Sequence, residues 1–558
     1  MIDHFLSILR GKRAPALVLE HVQSADVYLR TIRRGNIWID RGRIVYVGEQ
    51  LPKTLEGTER VTSDALVVPG YIEPHVHPFQ LYHPESFAHY AATTGTTTLI
   101  ADNFHLFTNL SNESSFRILD QLKKGPFTWK WWMRMDAQTQ MLNERLFTYE
   151  RLLPWLRRED VIVGGELTGW PQALKGEETL RSFLQASVEA GHYVEGHLPG
   201  ASDQTLAQMK WLGVTGDHEA MTLEDVEARL RHGYHVTLRH SSIRPDLLPM
   251  IKEMKKEKWE IGARLMMTTD GSPPLFYQEG VVDTCIRQVG QTLEDWHTAY
   301  QMATITPAET YRIDREVGAI ATGRVAHLNF LNSLDDPTPR SVLASGTWIK
   351  KDGKVLPIKE QVAWEEELTR PPLQLLDDDL EPVPSTTRLV LMNDVLMKME
   401  ERTEEKSEHF LVVIGRAGNW RIRTRIHGFP EQMEALVSSF SLTGDTIFIY
   451  RSKRAAQRAF ERLEHRGGGI VLADDENVQA EIPLPIGGFS SHLSFPQLME
   501  KEKLLKQKLA AYGEVKGDII FTLLFLQSTH LPFVRITERG IIDILKNKCI
   551  LPAEQRSM

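Results

Sequence analysis

Between residues 66 and 315, eight short apolar segments alternate with stretches of helical spacing, and this alternation constrains the fold more than any other feature. The candidate strands are 66–72, 97–102, 128–135, 161–167, 193–197, 212–217, 234–238 and 261–269. Between them lie segments such as 176–189 and 223–232, with helical periodicity and charged faces. Repeated β–α units dictate a parallel sheet, because parallel neighbours need a crossover connection. Eight units over roughly 250 residues suit an α/β fold of the closed (β/α)8 TIM-like type, with its chemistry at the C-terminal rim. The alternative is an open doubly wound sheet, but no Gly-x-Gly-x-x-Gly turn follows the first segment to support it.

At 558 residues the chain is too long for one core. Segments 25–29, 36–40 and 43–48 read as short strands, with Val27, Leu29, Ile37 and Ile39 alternating with polar neighbours. Segments 326–330, 341–344 and 347–349 read the same way and lead into an Asp352-Gly353 turn. Together they predict a discontinuous small β-sandwich domain, 1–65 plus 318–365, interrupted by a barrel over 66–317. The charged, proline-rich stretch Leu376 to Pro384 reads as a linker. Beyond it, 385–558 reads as a separate α+β domain, with strands at 410–414 and 446–450 and helices at 453–464 and 495–511. Its expected role is to close the site or to form an interface with a second copy of the chain.

Composition narrows the function classes. A net charge of −9 argues against a general nucleic-acid binder. Cys285 and Cys549, the only cysteines, can build neither a disulfide framework nor a Cys-rich zinc site, so a reducing cytoplasm is the simplest compartment. The apolar run 519–526 is too short to span a bilayer. Neither nucleic acid nor membrane is therefore expected as a partner, and a homo-oligomer is left open.

The chemistry gathers at the strand ends. His75 and His77 close the first segment, and side chains at i and i+2 of a strand point the same way, as two ligands of one ion require. Glu166 ends the fourth segment, His197 the fifth, His218 and Glu219 the sixth, and Asp270 the eighth. Each alone has an ordinary explanation as a capping, turn or solvated residue. Four histidines and two carboxylates at one rim suit two divalent ions, with Glu166 able to bridge them. Two close cations bring the pKa of a shared water toward neutrality. Asp270 can then bind an ion, take the proton as hydroxide attacks, and pass it to a leaving group. This is hydrolysis at a carbon bearing nitrogen. Arg239 and Glu219 are candidate substrate contacts, whereas Trp131, Trp132 and Trp170 are expected to pack in the core.

The motifs resemble the bacterial adenine deaminases of the amidohydrolase superfamily. Gly95-Thr96-Thr97-Thr98 through Asp102, Gly165-Glu166, Glu195-Gly196-His197 and Gly216-Asp217-His218-Glu219 are similar to its segments. So are Thr269-Asp270 with Glu279-Gly280-Val281-Val282-Asp283, Glu481 to Gly488, and Leu531-Pro532-Phe533-Val534. The resemblance implies His75, His77, Glu166, His197, His218 and Asp270 as ligands of two metal ions, manganese first and iron or zinc otherwise. It also implies Asp270 and Glu219 as catalytic groups, and adenine, a small purine, as the substrate converted to hypoxanthine and ammonia. Three segments depart from the family pattern. The first pair continues into Pro78-Phe79-Gln80 rather than Ile-Glu-Ser, Asp102 into Asn103-Phe104-His105, and Asp270 into Gly271-Ser272. Two other readings stay open, a cyclic-amide hydrolase of the same superfamily and a non-catalytic paralogue. The other class of zinc nucleobase deaminase, with His-x-Glu and Pro-Cys-x-x-Cys, is excluded by the two distant cysteines.

Overall fold

A computed structural model describes residues 2–139, 145–384, 386–401 and 408–556; residue 385, the expected start of the last domain, lies outside them. Eight parallel strands follow one another in chain order: Tyr71–Val76, Thr96–Ala101, Thr128–Met133, Val161–Leu167, Tyr193–Gly196, Gly216–Asp217, His235–Arg239 and Leu265–Thr268. Nearly all their residues are buried, as strands covered on both faces require.

Two of the strands differ from expectation. The first apolar segment is two strands: Leu66–Pro69 pairs with Leu328–Leu331 outside the barrel, and only Tyr71–Val76 enters it. Both halves are buried, so apolar pattern could not reveal the break at Gly70, where a Cβ would collide with Thr97 and His327. The sixth strand is only Gly216–Asp217, because Leu212 instead caps the helix Asp203–Trp211.

Among the described residues no backbone ladder joins the last barrel strand to the first. Glu73 closes that seam with its side chain. It accepts from Thr268 Oγ1 (2.5 Å), Thr269 N (2.9 Å), Thr269 Oγ1 (2.7 Å) and His75 N (3.2 Å). Thr268 Oγ1 also reaches the His75 carbonyl at 2.8 Å. Burial pushes the Glu73 carboxyl up to about 7, against the pull of these donors.

The strands before and after the barrel share one nine-stranded sheet. Leu17–Asp26 pairs with Thr31–Asp40 and with Leu66–Pro69, which joins it to Leu328–Leu331 and Ser341–Ala344. The strand expected at 25–29 is displaced: it ends at Asp26, and residues 27–30 form a turn.

A second nine-stranded sheet carries the C-terminal half. In its strand Thr446–Tyr450, Ile447 and Ile449 join the core that runs into the barrel, while Phe448 and Tyr450 pack with residues of the helix Lys453–His465. Barrel and C-terminal sheet therefore share apolar packing. The helix Phe495–Ala511 braces the junction, with Phe495 stacked on Tyr90 and Glu502 accepting from Leu275 N at 2.7 Å. Leu376 to Pro384 is not a solvated linker. Asp379 and Leu380 are buried, and Asp379 meets Arg421 at 2.8 Å and Arg556 at 2.6 Å. Acid and proline content suggested solvent, but two arginines distant in sequence neutralise the site. No described helix is long and apolar enough to cross a membrane.

Candidate metal centre

All six ligand candidates converge at the C-terminal rim of the barrel. His75 Nε2 and His77 Nε2 lie 3.7 and 3.2 Å from Asp270 Oδ1. Across the rim, His197 Nδ1 and His218 Nε2 lie 2.6 and 3.4 Å from Glu166 Oε1. Glu166 Oε2 faces the first group, 3.9 Å from His77 Nε2. The result is two clusters, His75–His77–Asp270 and His197–His218–Glu166, with Glu166 between them. Two donors each roughly 2.0–2.2 Å from one ion stand roughly 3–4 Å apart, the spacing seen here except between His197 and Glu166, which stand at hydrogen-bond distance.

Local chain geometry sets these positions. Gly165 has φ +127°, and a Cβ there would strike the Glu195 carbonyl, so only glycine lets the fourth strand turn Glu166 inward. Asp270 itself sits at φ +53°. The following Gly271 leaves room for His77, whose Cδ2 a Cβ would approach to 2.7 Å.

A surrounding layer orients the ligands. Asp102 Oδ2 holds His77 Nδ1 at 2.8 Å, and Glu195 Oε1 holds His218 Nδ1 at 3.1 Å. Each contact turns Nε2 toward the other ligand candidates, as carboxylate–histidine–metal arrangements require. Arg134 donates to Glu166 Oε2 at 2.8 Å and to Asp102 at 3.3 Å. Arg239 Nη1 donates to Asp270 Oδ2 at 2.8 Å and lies 2.8 Å from Glu219 Oε1, while Arg244 holds Glu219 Oε2 at 3.0 Å. Trp132 is a core residue, as expected, and packs on His75 at 4.0 Å between centroids.

The electrostatics favour ionised carboxylates. Burial opposes charge on Glu166, but His197 and Arg134 overcome it and hold the group well below the ordinary carboxylate range. Burial likewise opposes charge on Asp270, and Arg239 with His77 and His75 outweighs it. Glu219 is held at about 2 against burial by His197 and Arg239. His75 is driven well below its ordinary value by burial and by His218 beside it, so its imidazole is neutral. Both His75 ring nitrogens are buried without a hydrogen-bond partner. Orphaned imidazole nitrogens cost stability unless something binds them. The neutral His75, the ionised carboxylates and the spacing fit divalent metal ions; His77, His197 and His218, raised against burial by the carboxylates beside them, would give up a proton on binding one.

The ligand set opens into a cavity of about 120 Å³, lined in part by His77, Glu166, His197, Arg239 and Asp270. Glu219 does not line it, but its Oε1 lies 3.4 Å from His197 Nδ1 and 3.5 Å from His218 Nε2, beside Arg239. The far wall comes from the C-terminal half: Leu442, the helix Ile519–Phe525 and His530. Sequence reasoning did not single out Arg134, Arg244 or His530, and it reached Gln80 only within the Pro78-Phe79-Gln80 departure. An arginine inside the largely apolar segment 128–135 was the one available signal.

Residues 66–355 match the family model described as the amidohydrolase family, and residues 386–548 match the adenine deaminase C-terminal domain. A protein of Oceanobacillus iheyensis named "Putative adenine deaminase" is 40% identical over 99% of this chain and 97% of its own length. One of Picrophilus torridus with the same description is 33% identical over 96% and 91%. One of Kosmotoga olearia named "Adenine deaminase" is 26% identical over 98% of both chains.

Proposed function

The chain belongs to the amidohydrolase family and, within it, to the adenine deaminases, and from that premise we propose that it hydrolyses adenine to hypoxanthine and ammonia. In this reading two divalent ions, manganese first, are held by His75, His77 and Asp270 on one side and His197 and His218 on the other, with Glu166 shared. The observation that carries it is the pair of ligand clusters meeting at Glu166 on the floor of one small cavity. Bound there, the ions would lower the pKa of a shared water toward neutrality.

The chain's own groups supply the rest. Asp270 is ionised, with Oδ2 held by Arg239 and Oδ1 turned to His75 and His77, so the carboxylate is placed beside the ligand clusters to take a proton from the attacking water and return it to the departing amino group. One water is added at the ring carbon and one ammonia leaves, and no redox partner is needed. Arg239 reaches the cavity while anchored on Asp270 and Glu219, so it orients the base and fixes the general base together. Glu219 holds Arg239 and places its Oε1 beside His197 and His218. The apolar wall excludes bulk water, and a cavity of about 120 Å³ is far below the roughly 300–1,000 Å³ of drug-sized pockets.

Protein saturated with manganese should convert adenine to equimolar hypoxanthine and ammonia. Metal-loaded protein that releases no ammonia from adenine or related aminopurines rules the proposal out.

A further inference from the structure

Of the polar side chains in the cavity that have no task in the scheme above, two carry a buried atom without a hydrogen-bond partner. Gln80, nine-tenths buried, follows His77 by three residues and lines the cavity. Its Oε1 is buried without a hydrogen-bond partner. Its amide stands over the Asp270–Gly271 turn, where a Cβ on Gly271 would come within 3.1 Å of Gln80 Nε2. His530, from the C-terminal half, faces it across the ligand set. Its ring centroid is 5.9 Å from that of His197 and 6.5 Å from Phe525, and its Nδ1 is also buried without a partner. Gln80 thus adjoins the His77–Asp270 cluster and His530 the cluster containing His197.

Buried acceptors and donors without partners are uncommon, because each forfeits its bonds to water on folding. Two of them flanking the same cavity suggest a ligand that supplies the missing partners. Apolar side chains, among them Phe79, Leu442, Phe521 and Leu524, line the cavity beside His105 and Gln138. Such a surface suits a flat ring held by its faces and read at its edge.

We propose that Gln80 and His530 are the specificity-determining pair that reads the edge of the substrate ring, and that the C-terminal half therefore takes part in substrate selection. The inference rests on the reading above for the identity of the substrate. A free purine base carries one ring N–H, and Gln80 Oε1 accepts it. His530 donates to a ring nitrogen on the other side. Neither residue touches the reacting carbon, so both act on affinity rather than on the chemical step.

The test compares adenine with 9-methyladenine, which lacks the ring N–H. In wild-type protein the methylated base should be the poorer substrate. Gln80→Leu, of similar size, should raise the KM for adenine roughly tenfold and leave that for 9-methyladenine within about twofold. His530→Phe should raise both KM values roughly tenfold, and His530→Asn should recover most of the loss. Metal content and kcat should hold in all three variants. The proposal is overturned if Gln80→Leu moves the two substrates together, or if neither variant changes KM with the metal in place. Equilibrium dialysis of the same two bases against the metal-loaded proteins separates the layers. Adenine binding that weakens in the variants supports the pair even where wild type shows no turnover, which would sink the deaminase reading alone. Equal binding of both bases by wild type overturns the pair.

Discussion

Glu73 is the point at which the barrel depends on a single side chain. It joins the strand that carries His75 to the strand that leads into Asp270, where the described backbone makes no ladder. Glu73→Leu leaves the amides of Thr269 and His75 unpaired in a dry interior, while the Thr268 hydroxyl keeps the His75 carbonyl. At about 1–3 kcal/mol for each buried donor without a partner, the loss is about 4 kcal/mol. Glu73→Gln behaves differently. Its carbonyl can keep both Thr269 donors, its NH2 can donate to Thr268 Oγ1, and only the longer His75 contact is lost, a cost of about 1 kcal/mol. Urea unfolding of the metal-free proteins, followed by tryptophan fluorescence, measures both. The pH dependence gives an independent check. Burial raises Glu73 from 4.5 to about 7, so the native state holds a proton that the unfolded chain releases between those values. Stability from this group is full below pH 4.5 and is lost as pH rises through 7, by about 3 kcal/mol at about 1.36 kcal/mol per unit. Glu73→Gln lacks that slope. A leucine variant within about 1 kcal/mol of wild type, or a glutamine variant as damaged as the leucine one, refutes the reasoning.

Three further outcomes follow from the geometry. Asp102→Ala removes the partner of His77 Nδ1 and should weaken metal binding roughly 10–100-fold in a chelator competition; unchanged affinity contradicts the orienting role. Arg239→Met frees Asp270 from its nearest cation, so the acidic limb of the kcat/KM profile should move to higher pH and the rate fall roughly a hundredfold; a limb that stays in place counts against Asp270 as the base. Asp379→Ala leaves Arg556 buried without an acidic partner and should destabilise the chain by roughly 3–5 kcal/mol; a melting temperature unchanged by the substitution would show that segment 376–384 is a passive tether.

The barrel was legible because strands buried on both faces are apolar throughout and end in polar residues at one rim. The six ligand candidates were legible for the same reason: His75, His77, Glu166, His197, His218 and Asp270 each stand at or just beyond a strand end. The break at Gly70 was not legible, since one continuous apolar run served two sheets. Gly216–Asp217 was too short to show any period. The layer behind the ligands was only partly legible: Asp102 and Glu195 fall within recognisable motifs, but Arg134 and Arg244 declare themselves only through partners distant in sequence. The C-terminal wall was the least legible part. Leu442, Phe521 and His530 come from segments with no motif spacing, and their role depends on how the second sheet packs against the barrel, a long-range property that no local pattern encodes.

In the proposed dinuclear site the ends of five barrel strands are joined through Glu166. Counting divalent metal per chain, after saturation and removal of free ions, tests it in wild type and in Glu166→Ala. The account predicts about two ions in wild type and one or none in the variant. Fewer than about one ion in wild type, or two in both proteins, would contradict it.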